Sequence, residues 1–492
     1  MRVAILAQAK TASKRELSKH AENKWVILAL LALAQFMVIL DVAIVNVALP
    51  SIARDLHFAP SDLQWVVTAY TLTFGGFLLL GGRAADLYGR RKLFIGSVTA
   101  FALASLACGL AQSDTMLIIT RAVQGLTGAI MSPVALSILL TEFDEGKERN
   151  TALGVWAAVS AGGAAVGVLL GGVLTQYLDW RWNFFVNVPV GALVAVAALR
   201  LLPHHIGEEN KKMKLDLPGA VTATAGLMSL VYALSKAPND GWGSQTVIGF
   251  LAVSVVLLIS FIVNERRTDQ PLLNLKIFRI RNVAGGNLTA LAIACTLFSM
   301  FFFMTLYVQT VLGYSPVKSG ISFLPVTFII AITSGIVSNL VNRIGYKPFL
   351  VAGPIVLSLG LFTIAHTMKV GGDYWHNVFP GLALTALGMG FSFISMTLAA
   401  TSGVPKHFSG LASGVLNTSQ QVGGALGLAI LAAVYASTFK SEVGTQALKV
   451  AKVDGYQAGL HVGVGLAIVA ALVALLVVRN KRVNAQEAMM AG

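Results

Sequence analysis

Charged side chains are scarce in this chain. Asp, Glu, Lys and Arg supply 12% of its 492 residues, against about 25% in a soluble globular domain. A surface so poor in charge does not dissolve in water, so soluble enzymes and soluble binding modules are excluded and lipid is the solvent. Cysteine is scarcer still: Cys108 and Cys295 are the only two, each inside an apolar run. Neither a disulfide framework nor a thiolate metal site can be built from them. Glycine pairs occur, but no Lys-Ser or Lys-Thr follows to complete a phosphate-cradling loop. His204 and His205 fall in a loop, His366 and His461 stand alone, and no nucleophile lies beside a base in sequence. No metal, cofactor or catalytic residue is therefore expected, and the chain reads as a non-enzyme.

Long apolar runs are abundant. A bilayer crossing takes ~20 mostly apolar residues, and fourteen segments qualify: 25–49, 62–82, 93–112, 115–141, 151–178, 183–203, 217–236, 244–265, 283–312, 317–342, 348–369, 376–402, 408–437 and 458–479. Local signals agree with several boundaries. Ser61-Asp62-Leu63-Gln64 reads as a capping box at the start of the second helix, Ser113-Asp114 caps the fourth, and Lys147, Arg149 and Asn150 mark a loop before the fifth.

The net charge of +14 would raise the question of nucleic acid in a soluble protein. Here the basic residues sit between apolar runs and report topology instead. Of the 36 Lys and Arg, 27 fall on the side of the two ends, 8 on the other, and Arg121 inside a helix. The positive-inside rule then places both ends in the cytoplasm. Residues 1–24 form a basic cytoplasmic tail, since the apolar run Val3–Ala7 is too short for a signal-peptide core. Residues 25–203 form a first six-helix bundle, 204–282 a linker with two inserted helices, 283–479 a second six-helix bundle, and 480–492 a second tail. Weak internal similarity supports two halves. Asp86 to Lys92 after the second helix is echoed by Asn342 to Lys347 after the tenth. The glycines of the fifth helix (Gly162, Gly163, Gly167, Gly171 and Gly172) are echoed by Gly423, Gly424 and Gly427 in the thirteenth. Paired repeats around a midplane site are a common transporter plan.

The sharpest motif is Gly81-Gly82-Arg83-Ala84-Ala85-Asp86-Leu87-Tyr88-Gly89-Arg90-Arg91-Lys92, a short charged turn at the cytoplasmic face. Its glycines allow close helix approach, and Asp86 can pair with a base or a helix dipole. Such a cluster can hold one conformation and release another; the plainer reading is a basic topogenic loop. The segment resembles the signature loop of the major facilitator superfamily. Leu40-Asp41-Val42-Ala43-Ile44-Val45-Asn46-Val47-Ala48-Leu49-Pro50 resembles the first-helix motif of its fourteen-helix drug:proton antiporter branch. Arg121-Ala122-Val123-Gln124-Gly125 resembles the fourth-helix motif, and Trp180-Arg181-Trp182-Asn183-Phe184-Phe185 through Asn187 and Pro189 also resembles that branch. The similarity covers most of residues 25–203. Two positions depart from it: Val168 follows Gly167 where the antiporter motif carries proline, and Ala43 stands where the family often has Thr. The resemblance implies an all-α integral membrane protein with the major facilitator fold. It also implies a conformational gate at Gly81, Gly82, Asp86, Gly89, Arg90, Arg91, Gly163, Gly167 and Gly171.

Asp41 lies inside an apolar helix, where a charge costs ~2.5–3.5 kcal/mol on insertion scales. Arg121 is the one basic residue inside a helix. At ~1.5 Å per residue, and counting from opposite ends of oppositely running helices, the two reach similar depths. Either Asp41 carries a proton and is coupled to Arg121, or the two form a fixed ion pair. For the substrate path, Met300, Phe303, Met304 and Tyr307 share one helix face and can repack around apolar ligands, or simply pack the bundle. Asn417, Gln420 and Gln421 need a protein partner or a wet cavity, because bare amides in hydrocarbon are expensive. Gln35, Trp65, Tyr70 and Gln124 complete the substrate-binding list.

Three functions fit these features. The first is export of hydrophobic or amphipathic compounds against entering protons, in a cell membrane, by a chain favoured as a monomer. The second is a dedicated metabolite or lipid exporter, or an uptake symporter, on the same scaffold. The third, a membrane sensor, lacks the soluble domains it would need. Beyond Asp41 no acidic residue lies deep in a predicted helix, which favours monocationic, neutral or weakly anionic substrates over dications.

Overall fold

The computed structural model describes residues 2–59, 61–144, 146–203, 215–405, 408–444 and 446–480. His204, His205 and residues 481–492 lie outside these described residues. Sixteen α-helices follow in chain order: α1 (Arg2–Asp55), α2 (Trp65–Tyr88), α3 (Arg90–Gly109), α4 (Asp114–Glu142), α5 (Lys147–Tyr177), α6 (Trp182–Phe185), α7 (Asn187–Leu201), α8 (Leu217–Asp240), α9 (Gln245–Arg267), α10 (Arg281–Thr310), α11 (Pro316–Ile344), α12 (Lys347–Thr367), α13 (Tyr374–Asn377), α14 (Phe379–Thr401), α15 (Ser409–Glu442) and α16 (Leu448–Val477). Fourteen stretches are long and apolar enough to cross a membrane, with α6 and α7 sharing the sixth crossing. The architecture is two six-helix bundles, α1–α7 and α10–α16, with α8 and α9 inserted between them.

Local chemistry explains where the helices begin and break. Ser113 caps α4, its Oγ accepting from the Met116 N–H at 3.2 Å. Gly89 separates α2 from α3 with φ 84°, a left-handed turn that glycine makes without steric cost. Four boundaries differ from expectation. Residues 61–64 form turns with no side-chain cap on α2, which starts at Trp65; Gln64 bonds back to the Ser61 carbonyl instead. Lys147, Arg149 and Asn150 lie within the first turn of α5 rather than in a loop. The expected helix 183–203 is assigned as two, α6 and α7, although Val186 between them keeps helical dihedrals (φ −58°, ψ −30°). The polar stretch after the thirteenth crossing is mostly helical, because α15 runs on to Glu442 and α16 starts at Leu448. Tyr435 and Tyr456, stacked with ring centroids 4.9 Å apart, hold those projecting turns together.

The two bundles meet along two seams. At one, α2 lies on α15: Thr418 Oγ1 donates to the Gly75 carbonyl at 3.1 Å, and Leu79 packs where a Gly414 side chain would be. At the other, α5 faces α11. A Cβ on Gly172 would lie 2.7 Å from the Pro316 carbonyl, and one on Gly320 would lie 2.7 Å from the Val168 carbonyl. Gln309 Nε2 also donates to the Val47 carbonyl at 2.8 Å, tying α10 to α1. The α5–α11 and α1–α10 contacts sit toward the outer face, while the α2–α15 contact runs from mid-depth into the inner half. On the inner side of the α5–α11 seam Gly154 and Gly335 have open space around them, and Ser338 and Asn339 are exposed. That seam is closed at its outer end and open at its inner end.

The insert lies over the α2–α15 seam. The insert is bonded to α2 and the turn before it at both membrane faces. Outside, Lys236 reaches Asp62 at 3.5 Å and Asn239 Nδ2 donates to Ser61 Oγ at 3.3 Å. Inside, Arg83 donates to the carbonyls of Gln270 and Pro271, in the segment that follows α9. Asp216 caps α8 and ties it to the same segment. Burial pushes its carboxyl up, but bonds from the Gly219 N–H, the Asn264 amide and the Leu272 N–H outweigh this and hold it below the usual range. Towards α15 the contact is apolar, Val231 meeting Ala425 and Ala429, apart from Lys440 Nζ donating to the Asn239 carbonyl at 3.3 Å.

Helix α5 rides on α1 through its glycines. A Cβ at Gly167 would lie 2.8 Å from the Ala43 Cβ and 3.1 Å from the Leu40 carbonyl, whereas nothing lies within 4 Å of one at Gly162. Gly167→Leu is expected to destabilise the protein by about 1–3 kcal/mol through overpacking, and Gly162→Leu to leave it unchanged. Thermal melting of the purified variants in detergent decides; equal losses would mean the α1–α5 contact is not the constraint.

Candidate functional site: a buried charged network in the first bundle

Asp41 and Arg121 meet deep in the first bundle, with 0% and 1% of their surfaces exposed. The Asp41 Oδ2 accepts from Arg121 Nη1 at 2.5 Å. Its Oδ1 accepts from Gln124 Nε2 at 2.7 Å and from Asn187 Nδ2 at 3.0 Å. Three donors converge on one carboxyl group, the pattern of a carboxylate. Arg121 is equally well held. Its Nε donates to the Val66 carbonyl at 3.0 Å and its Nη1 also to Gln124 Oε1 at 2.7 Å. Its guanidinium carbon lies 4.3 Å from the Tyr70 ring centre and 5.7 Å from that of Phe184. Such cation–π contacts help keep a cation stable away from water.

Each helix contributes through a local reason. Arg121 and Gln124 are three apart on α4 and so share a face. Cys108 on α3 reaches Gln124 Oε1 at 3.4 Å. Asn187 opens α7, directly after Val186, which keeps helical dihedrals (φ −58°, ψ −30°). The Ser105 hydroxyl on α3 donates to the Phe184 carbonyl at 2.8 Å and accepts from Asn187 at 3.0 Å. Sequence reasoning paired Asp41 with Arg121 but left Asn187 as a mere part of a motif. The signal was there: an amide in an apolar helix needs a partner.

The proposed gate residues occupy the inner turn and the α1–α5 contact. A Cβ on Gly81 would lie 2.3 Å from the Ala129 carbonyl, so α2 and α4 touch there, while Gly82 has room. Arg91 Nη2 donates to the Leu199 carbonyl at 2.6 Å, and Arg90 bonds to Thr141. Gly163 sits against Ile39 and Phe36, Gly167 against Ala43, and Gly171 against Ile44. The Asp86 side chain lies outside the described residues.

The residues expected to bind substrate scatter. Gln124 is fully buried and fully engaged by Asp41 and Arg121. Tyr70 is buried on Arg121, and its hydroxyl has no partner among the described residues. Gln35 accepts from Ser132 on α4 at 2.8 Å. Trp65 leans on Tyr232 of the insert, centroids 6.3 Å apart. Met300, Phe303, Met304 and Tyr307 are all buried in the apolar core. Phe303 packs on Tyr435 and Tyr456 at 5.9 and 5.7 Å, and Tyr307 donates to the Lys369 carbonyl at 2.8 Å. Their face of α10 meets α15 and α16. On α15, Asn417 is exposed, Gln420 Nε2 rests 3.7 Å from Met396 Sδ, and Gln421 lies at the α2 seam beside Gly75.

Known proteins share both sequence and shape with this chain. Residues 31–428 match the family described as the Major Facilitator Superfamily. The puromycin resistance protein pur8 of Streptomyces alboniger is 39% identical over 476 residues, covering 94% of this chain and 93% of that protein. The cephamycin export protein CmcT of Amycolatopsis lactamdurans is 39% identical over 428 residues, covering 87% and 88%. Among solved structures, a bacterial homologue of the human lysosomal transporter Spinster, inward-facing and unoccupied, superimposes with a TM-score of 0.66 at 16% identity over 92% of this chain and 97% of that one. With its fourteen crossings, its paired bundles and this match along most of its length, the chain belongs to the Major Facilitator Superfamily and is a multi-pass plasma-membrane transporter.

Proposed function

We propose that the protein exports hydrophobic or amphipathic compounds, antibiotics among them, in exchange for protons by alternating access. One observation carries this reading: a carboxylate and a guanidinium, both shut away from water, balance one another in the first bundle. Removing one partner of such a pair leaves an uncompensated charge and costs about 3–5 kcal/mol. A proton arriving at Asp41 has the same electrostatic effect, so its arrival and departure are strongly coupled to the packing of α1, α4 and α7. Export is the role named for the cephamycin relative, and resistance for the puromycin one. The chain works as a transporter rather than an enzyme, needs no cofactor or nucleic acid, and functions as a monomer in the bilayer.

The gate comprises Gly81, Gly82, Asp86, Gly89, Arg90 and Arg91 at the inner turn, with Gly163, Gly167 and Gly171 guiding α5 along α1. For substrate contact, Phe298 and Phe301, which keep partial exposure, replace the four core residues of α10. Asn417 and Gln420 supply polar groups from α15. With no acidic side chain beside them, this surface suits neutral and monocationic molecules.

A dedicated exporter of one metabolite is the second reading. Val168 favours it, since it replaces the proline of the antiporter pattern at the point where α5 meets Gly320 of α11.

Asp41→Asn is expected to abolish proton-driven uptake of a hydrophobic monocation such as ethidium into inverted vesicles and to lower thermal stability. Uptake at the normal rate would rule out the proton-carrier role. Drug-susceptibility profiling of a deletion strain, with and without an uncoupler, separates a broad exporter from a dedicated one. The insert, bonded to α2 and the turn before it at both faces, is expected to travel with the first bundle. A disulfide between Gly76→Cys and Thr224→Cys should leave transport within about twofold, while a short cross-link between cysteines at Val231 and Ala429 arrests it. The opposite pattern would assign the insert to the second bundle.

A further inference from the structure

We infer that Asn187 is a positioning residue for the proton step at Asp41: its amide is the partner that turns when the proton arrives. This rests on the proton-carrier reading and adds a residue to it.

The argument is one of hydrogen inventory. Both lone pairs of the Asp41 Oδ1 are taken, one by Gln124 and one by Asn187. A proton on that oxygen needs one of these amides to present its carbonyl instead. Gln124 is not free to do so. Its Oε1 accepts from Arg121 Nη1 at 2.7 Å and faces the Cys108 thiol at 3.4 Å, so turning would aim its NH2 group at a cation. Asn187 faces no cation. Its two N–H groups go to Asp41 and to Ser105 Oγ, both at 3.0 Å. The Ser105 hydroxyl hydrogen is committed to the Phe184 carbonyl, which makes Ser105 an acceptor towards Asn187 and fixes the amide in its donating sense.

A hydroxyl rotor can reverse that sense. When Asn187 turns, its Oδ1 can accept from protonated Asp41, and the Ser105 hydrogen can swing from Phe184 to the amide. An asparagine, which both donates and accepts, suits this task where a lysine or a leucine would not. The other titratable groups facing Asp41 are Arg121 on α4, Tyr70 on α2 and Cys108 on α3. None of these is placed to accept a hydrogen from Oδ1. The hydrogen given up by Ser105 belongs to the Phe184 carbonyl, three residues before Asn187. Proton arrival is thereby communicated to the backbone of α6.

Infrared titration of the full-length protein in liposomes tests this. The observable is the protonated-carboxyl band that vanishes in Asp41→Asn, followed against pH. Asn187→Ala removes a donor to the carboxylate, and its band midpoint is expected to rise by about one pH unit, since a hydrogen bond to a charged group is worth about 1.5–3 kcal/mol. Ser105→Ala, a change of one oxygen, should move it the same way by less. Ethidium counterflow at equal pH on both sides, which needs no net proton movement, should fall less than proton-driven uptake does in both variants. A midpoint unmoved in either variant overturns the role of Asn187 and leaves Asp41 as carrier. Loss of counterflow without a midpoint shift overturns it too, in favour of packing. A wild-type protein with no Asp41 band across the carboxyl titration range removes the carrier reading, and this inference with it.

Discussion

A charge held away from water must be met by another, and in this protein that rule operates at the contact between Asp41 and Arg121. The pair is not merely tolerated. Two amides, a backbone carbonyl and two aromatic faces have been arranged on five helices so that neither partner has an unsupported edge. Helices α1, α2, α4 and α7 are thus held to one another by polar bonds, and α6 by its Phe184 ring on Arg121, inside a bundle otherwise joined largely by apolar contact.

The rest of the fold supplies what such a centre needs to be useful, namely helices that fit closely yet can part. Glycine at 81, 167 and 171 lets backbones approach to a distance that no side chain would allow. Lipid offers little drive for helix association, and close fit is what replaces it. The two seams between bundles show the same economy: glycine contacts close the outer end of the α5–α11 seam, with open space around Gly154 and Gly335 at its inner end, and a hydrogen bond and glycine contacts hold α2 to α15 from mid-depth inward.

The crossings were legible because hydrocarbon demands long apolar runs and the sequence has little else. The pairing of Asp41 with Arg121 was legible for the converse reason, since two lone charges in apolar helices have few partners to choose from. Other features were hidden by the same physics. The extra turns of α16 were hidden by their charges, because helices that leave the membrane no longer need to be greasy. Periodicity put Met300, Phe303, Met304 and Tyr307 on one face correctly, but a face does not say which neighbour it meets, and here it meets α15 and α16. Gln124 was assigned to substrate on its polarity, when its bonds are all taken by the ion pair.

The position of α8 has an effect on the bilayer itself. Two similar bundles would present the surrounding lipid with two equivalent clefts. With α8 laid along the α2–α15 line and α9 outside it, and with open space beside Gly154 and Gly335 on the α5–α11 side, the two flanks present the lipid with different surfaces.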